Sequence, residues 1–133
     1  MLNGINHITY AVKDLSKSFE FYTKVLGMRA EAKWDKGAYL SLGNLWFCLN
    51  LDESSASLDC SHLAFNIHEE DFFTCKQKLE IENVVFWKEN SSEGQSLYFL
   101  DPDKHKLEIH VGSLSSRINS LNKRKFNELV IYK

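Results

Sequence analysis

The chain has 133 residues, 44% of them hydrophobic and 26% charged, which is the make-up of one ordinary globular mass and excludes a disordered, fibrous or multidomain protein. Sixteen basic residues against eighteen acidic ones leave a net charge of −2, so the general electrostatic pull that draws proteins onto nucleic acid or an anionic membrane is missing. At this size roughly two-thirds of the unfolded surface can be buried, and stability needs neither a disulfide nor a structural metal.

The expected partner is therefore a small polar or charged ligand, with no nucleic acid and no membrane. No apolar run approaches a bilayer span, and Met1 to Asn6 lacks the basic, apolar, small pattern of a signal peptide, so a cytoplasmic location is expected. Cys48, Cys60 and Cys75 are an odd number with no C-x-x-C pair, which suits reduced packing thiols.

Along the chain, Ile5 to Val12 alternates and predicts a strand. Asp14 offers an N-cap to a helix with Leu15, Phe19, Tyr22 and Leu26 on one stripe, ended by Gly27. Strands over Met28 to Trp34, Ala38 to Leu42 and Leu45 to Asn50 follow, completing a βαβββ unit. The polar stretch Asp52 to Asp59 is expected to be a linker. The order then returns: strand Ser61 to Ile67, helix Glu70 to Ile81 with Phe72, Cys75 and Leu79 inward, and strands Val84 to Trp87, Ser96 to Leu100 and Lys106 to Val111. Asn6-His7-Ile8 answers Ser61-His62-Leu63 at an offset of 55 residues, so the module is duplicated. The fold class is α+β, one domain over 1–133 with modules at about 1–51 and 60–112. A C-terminal helix and tail, 113–133, carry Leu114, Ile118 and Leu121 on one side.

Because side chains alternate along a strand, each strand sorts into two faces. Ile8, Tyr10, Leu40, Phe47, Leu49, Leu63, Phe65, Phe99, Leu107 and Ile109 fall on the core side. The other side collects His7, Thr9, Tyr39, Trp46, Cys48, His62, Ser96, Tyr98, Glu108 and His110, nearly all the polar chemistry. Strongly curved mixed sheets would wrap that face into a cleft bringing His7, His62 and Glu108 together. Two imidazoles and a carboxylate suit Mn²⁺, Fe²⁺ or Zn²⁺, with positions left open for substrate. Matching Leu45-Trp46-Phe47 to Leu107-Glu108-Ile109 puts Trp46 where a fourth symmetric ligand would stand, as an apolar wall. His68 and His105 are expected in solvent, and His110 beside the ligands or at an interface.

Asn6-His7-Ile8-Thr9, Trp34-Asp35-Lys36-Gly37-Ala38-Tyr39-Leu40, Leu45-Trp46-Phe47-Cys48-Leu49, Ser61-His62, Trp87 to Gly94, Tyr98 to Asp103 and Leu107 to Gly112 closely resemble the fosfomycin-resistance glutathione transferases of the FosA type, in the vicinal oxygen chelate (glyoxalase-like) superfamily. The resemblance runs from Met1 to about Leu121. It implies an enzyme that uses Mn²⁺ (or another divalent metal such as Zn²⁺) and K⁺ to add the thiol of glutathione to the epoxide of fosfomycin, giving antibiotic resistance. It implies His7, His62 and Glu108 as metal ligands, with Thr9, Lys88, Ser92, Tyr98 and Arg117 as fosfomycin contacts and Trp46 as the pocket wall. Thr9, Tyr39, Lys88 and Arg117 are the implied catalytic groups, Tyr39 acting on the thiol. The potassium loop is implied at Asn90, Ser92, Gly94 and Ser96. The resemblance also implies a domain-swapped homodimer in which His7 of one chain joins His62 and Glu108 of the other. Most relatives carry an arginine where Ser91 stands here.

Other readings compete. Glyoxalase I uses four protein ligands, which Trp46 opposes, and an extradiol-type dioxygenase leaves the Lys88 to Ser96 loop unexplained. A drug-sequestering protein has no need of the His7, His62, Glu108 set. The bacillithiol transferases carry a cysteine where Thr9 stands, and the epoxide hydratases a glutamate near Asn44, so Thr9 and Asn44 favour glutathione.

Overall fold

The computed structural model describes residues 1–132; Lys133, the last residue of the expected tail, lies outside the described residues. The first half is β1 (His7–Val12), α1 (Leu15–Glu20), β2 (Arg29–Trp34), β3 (Gly37–Leu42) and β4 (Leu45–Leu51). The second is β5 (Leu63–Asn66), α2 (Glu69–Ile81), β6 (Phe86–Lys88), β7 (Ser96–Leu100) and β8 (Lys106–His110), followed by α3 (Leu114–Asn122). Each half makes one four-stranded mixed sheet with the same wiring, β1-β4-β3-β2 and β5-β8-β7-β6. In both, the first strand pairs parallel with the last and the rest pair antiparallel. The duplicated βαβββ order is therefore real down to hydrogen-bonding topology.

Local signals hold at most boundaries. The Asp14 carboxylate accepts from Lys17 N–H at 3.1 Å and starts α1. Gly27 closes the helical run at φ +79, a left-handed conformation that its missing Cβ permits. The first helix departs from the predicted stripe, because from Phe21 to Val25 it widens into a π turn. That turn changes which residues face inward: Leu15, Ser18, Phe21 and Tyr22 are buried, while Phe19 and Leu26 only pack at the core's margin. α3 starts at a reciprocal cap between Ser113 and Ser116.

The two halves share one core. Phe47, Leu49, Leu40 and Val12 of the first join Phe99, Leu107, Ile109 and Leu79 of the second in one apolar cluster, and the Phe21 and Phe99 rings lie 6.5 Å apart. The buried Tyr22 hydroxyl donates to Asp101 Oδ2 at 2.7 Å. Burial pushes the Asp101 carboxyl above its usual range and the Tyr22 phenol well above its own. His105, expected in solvent, is half-buried instead. Its Nε2 lies 2.9 Å from the Ala11 carbonyl and 3.2 Å from Ser54 Oγ, and its ring stacks on Tyr10 at 4.5 Å. The turn that carries it is pressed between the halves, which its local turn chemistry does not reveal. The 52–59 segment is irregular but tied down, with Lys106 Nζ donating to the carbonyls of Ser57 and Asp59.

Candidate metal and substrate site

The non-core face of β8 and its neighbours holds the densest chemistry. Glu108 is 6% exposed and sits where the β5 and β7 pairings meet on β8, opposite Ala64 and Tyr98. Its Oε1 lies 2.9 Å from His62 Nε2, and its Oε2 accepts from the Ser96 hydroxyl at 2.7 Å. His62 stands just ahead of β5, where its Nδ1 meets the Cys60 carbonyl at 2.6 Å. A carbonyl only accepts, so Nδ1 donates there and Nε2 is the ring atom turned to the carboxylate. Asp59 shapes the loop that delivers this carbonyl: its carboxylate accepts from the Ser57 hydroxyl and from Ser61 N–H, bonds that hold its pKa down to about 2.

Tyr98 is buried, its ring 6.0 Å from the His62 ring and 5.3 Å from Trp87. Lys88 Nζ stands 4.9 Å over that same Tyr98 ring. Arg117, on α3, reaches back to the loop between β6 and β7, where its Nε donates to Glu93 Oε1 at 3.2 Å. In that loop Asn90 Nδ2 donates to the Gly94 carbonyl at 2.8 Å, and both the N–H and the hydroxyl of Ser92 donate to Asn90 Oδ1. Gly94 adopts φ +77. Lys88, Asn90 and Ser96 share the wall of a hollow of about 300 Å³. A larger hollow, about 690 Å³ and lined by Lys17, Phe21, Lys24, Val84 and Lys104 among others, contains none of the candidate site residues.

The first half carries the rest of the set on its own sheet face. His7 Nδ1 meets Asn6 Oδ1 at 2.8 Å, so Nδ1 is the nitrogen that donates. The His7 ring stacks at 4.5 Å on Trp46, Trp46 meets Tyr39 at 5.2 Å, and Tyr39 meets Trp34 at 4.9 Å. These three aromatics are 39 to 42% exposed, an apolar strip on an open face. Thr9 lies on the same face, in register with Cys48.

Two expectations need correction. A single chain does not close the His7, His62, Glu108 cleft: among the described residues no three metal-ligating side chains converge, and His62 and Glu108 meet without His7. The shared core lies between the two sheets, so their chemical faces look away from each other. Secondly, Trp46 is not the counterpart of Glu108. Counting from the paired core positions, Ile8 with Phe47 and Leu63 with Leu107, the residue matching Glu108 is Cys48. Both face the preceding strand's tyrosine, Tyr39 across from Cys48 and Tyr98 across from Glu108. Trp46 stands two residues earlier on the same face, opposite His7. A shift of two preserves the face of a strand, so alternation alone cannot detect it. The fourth position is thus a buried thiol without a carboxylate.

Glu93 and Trp87, which the sequence offers only as part of the Trp87 to Gly94 motif, make contacts of their own beside these residues. Trp87 Nε1 donates to the Leu107 carbonyl at 3.2 Å and its ring packs 5.6 Å from that of His62. Glu93 gathers Arg117, Ser116 and His110. A charged residue in a polar loop gives no signal of such contacts.

Comparison with known proteins sharpens this arrangement. Residues 4–109 match the Glyoxalase/Bleomycin resistance protein/Dioxygenase superfamily. The chain is 47% identical over 135 aligned residues to glutathione transferase FosA of Serratia marcescens, covering 98% of this chain and 96% of that one. It is 36% identical to metallothiol transferase FosB of Staphylococcus saprophyticus, covering 94% and 87%. Among solved structures it resembles the fosfomycin resistance protein FosX of Listeria monocytogenes in complex with Mn(II) and sulfate, with a TM-score of 0.84 and 29% identity over 91% of this chain and 99% of that one.

Proposed function

This chain belongs to the glyoxalase/bleomycin resistance protein/dioxygenase superfamily, and from that membership we propose that it is a divalent-metal-dependent transferase that opens the epoxide of fosfomycin with the thiol of glutathione. The observation that carries the reading is the facing of His62 Nε2 and Glu108 Oε1 at 2.9 Å. With Nδ1–H committed to the Cys60 carbonyl, His62 turns Nε2 toward the carboxylate, and the two side chains would hold a divalent cation there. A nitrogen and oxygen donor pair suits Mn²⁺ or Zn²⁺, and Mn(II) is the ion in the Listeria FosX structure. His7 of a second copy would supply the third donor, because its exposed ring stands on the first half's own sheet face, where among the described residues it meets Asn6 and Trp46 and not Glu108. The homodimer with shared sites follows from that incompleteness.

When bound, the metal supplies Lewis acidity at the place where the epoxide oxygen gains charge. The chain's own groups do the rest. Lys88 and Arg117 offset the phosphonate charge, and the Ser92 hydroxyl, now turned on Asn90, and the Tyr98 hydroxyl donate to its oxygens. Thr9, two residues along from His7, donates a hydroxyl hydrogen bond to the developing alkoxide. Trp46 walls the pocket, and Tyr39 beside it handles the glutathione thiol. The Asn90, Ser92, Gly94, Ser96 loop is the proposed potassium site. Thr9 and Asn44 favour glutathione over bacillithiol or water as the nucleophile, and a cytoplasmic location supplies that thiol. Among the described residues no helix is long and apolar enough to cross a membrane.

The test is direct. Purified chain with Mn²⁺, K⁺, glutathione and fosfomycin should yield the glutathione adduct by mass spectrometry. A diol product, or faster turnover with bacillithiol under matched ions, would move the chain to another branch, and no conversion of any kind would defeat the enzymatic reading.

A further inference from the structure

We propose that His110 is a positioning residue for the metal centre: its Nδ1–H aims the Ser96 hydroxyl at Glu108, so that the carboxylate presents Oε1 to His62. The proposal rests on reading Glu108 as a metal ligand, and adds a residue that acts through it. Ser96 Oγ has one proton and two close neighbours, Glu108 Oε2 at 2.7 Å and His110 Nδ1. An ionised carboxylate only accepts, so the hydroxyl proton goes to Glu108 and His110 Nδ1 must donate to the hydroxyl oxygen. On the far side of the ring, Arg117 Nη2 lies 3.5 Å from Nε2, and a guanidinium only donates. Glu93 Oε1 fixes that guanidinium by accepting from its Nε at 3.2 Å and from the Ser116 hydroxyl at 3.3 Å. One directed chain of donors thus runs from Arg117 through His110 and Ser96 to Glu108.

The surroundings are built for this ring. Its side chain is only 16% exposed, and Ser96 and Glu108 beneath it are buried. Two separate turns approach it through glycines of positive φ. A Cβ on Gly112 would stand 2.6 Å from His110 Nε2, and one on Gly94 would meet the Val111 carbonyl first and stand 3.0 Å from His110 Cε1. The imidazole packs directly against the Gly112 turn, where a side chain would collide with it. Without His110, the Ser96 hydroxyl is free to rotate to other acceptors and Glu108 Oε2 loses its fixed donor.

Partners that orient a metal's ligands typically matter by about 10- to 100-fold in affinity. The experiment titrates Mn²⁺ into the purified full-length chain and into His110→Ala, His110→Asn and His110→Gln, following free Mn²⁺ by electron paramagnetic resonance, with folding checked by circular dichroism. Asparagine places an N–H where Nδ1 was, whereas glutamine places its amide where Nε2 was. His110→Ala should weaken Mn²⁺ binding by about 10- to 100-fold, His110→Asn should recover most of the loss, and His110→Gln should not. Native affinity in His110→Ala, or equal recovery by both amides, would overturn the positioning role while leaving the metal site standing. If His110→Ala fails to fold, the asparagine and glutamine pair still decides. An unmutated chain that takes up no Mn²⁺ would overturn the metal reading itself, and this proposal with it.

Discussion

The two halves of the molecule have the same wiring and opposite endowments. In the first, His7 rests on Trp46 and the position matching Glu108 is the buried thiol of Cys48. In the second, His62 faces Glu108 directly, and Ser96 and His110 brace that carboxylate. The repeated strand order thus presents two equivalent faces, one carrying the His62 and Glu108 pair and the other His7 beside an aromatic strip. Among the described residues neither face gathers three metal-ligating side chains, and the apolar core takes in residues of both halves. The difference teaches that the same strand order can carry different chemistry on its two faces, and under the proposed function the halves would be complementary across copies rather than redundant within one.

The sharpest way to break the comparison is to remove a donor from the richer half. His62→Ala and Glu108→Ala should each abolish turnover and reduce metal uptake beyond the 10- to 100-fold typical of residues that only orient ligands, while leaving the fold intact. His62, just ahead of β5, and Glu108, on the non-core face of β8, both lie outside the apolar core, so far-ultraviolet circular dichroism should match the native chain while metal analysis falls. Native metal content in either variant would mean the second half is not the donor half.

A smaller effect sharpens the role of the first half. Thr9→Val keeps the shape and removes one hydroxyl donor, and a hydrogen bond to a charged acceptor contributes about 1.5–3 kcal/mol. Turnover of fosfomycin should fall roughly ten- to a hundredfold with Mn²⁺ affinity unchanged, as measured by steady-state kinetics beside a metal titration. A loss of metal affinity instead would put Thr9 among the groups that shape the metal centre.

The smallest effect concerns the loop that delivers the Cys60 carbonyl to His62. Asp59 has its pKa lowered to about 2, so between that value and the usual carboxylate range the folded chain binds fewer protons than the unfolded one. Its contribution to stability is therefore complete above the unfolded value and is lost as pH falls through about 2. The melting temperature of Asp59→Asn should lie slightly below that of the native chain at pH 5, with the gap closing toward pH 2. A gap that persists unchanged at pH 2 would show that Asp59 acts by something other than its charge.

Much of this was legible in the residues. Alternation put His7, Thr9, Tyr39, Trp46, Tyr98 and Glu108 on the correct faces, because a strand's period of two is set by its geometry. Depth along a strand was not legible, since a slip of two residues keeps the face, and so Trp46 was matched to Glu108 in place of Cys48. The π turn at Phe21–Val25 left no periodic trace, as one widened turn shifts the inward stripe without changing its composition. The burial of His105 against Ala11 and the grip of Glu93 on Arg117 depend on contacts between distant segments, which no local pattern records.

The central claim is that one working site needs both kinds of face, drawn from two copies of the chain. Mixing inactive His7→Ala with inactive Glu108→Ala under conditions of subunit exchange tests it most directly. Hybrid dimers place both substitutions in one site and leave the other with native His7, His62 and Glu108, so glutathione adduct formation should reappear, approaching one active site per hybrid. Exchange confirmed by mass spectrometry of the mixed dimers with no return of activity would contradict the account.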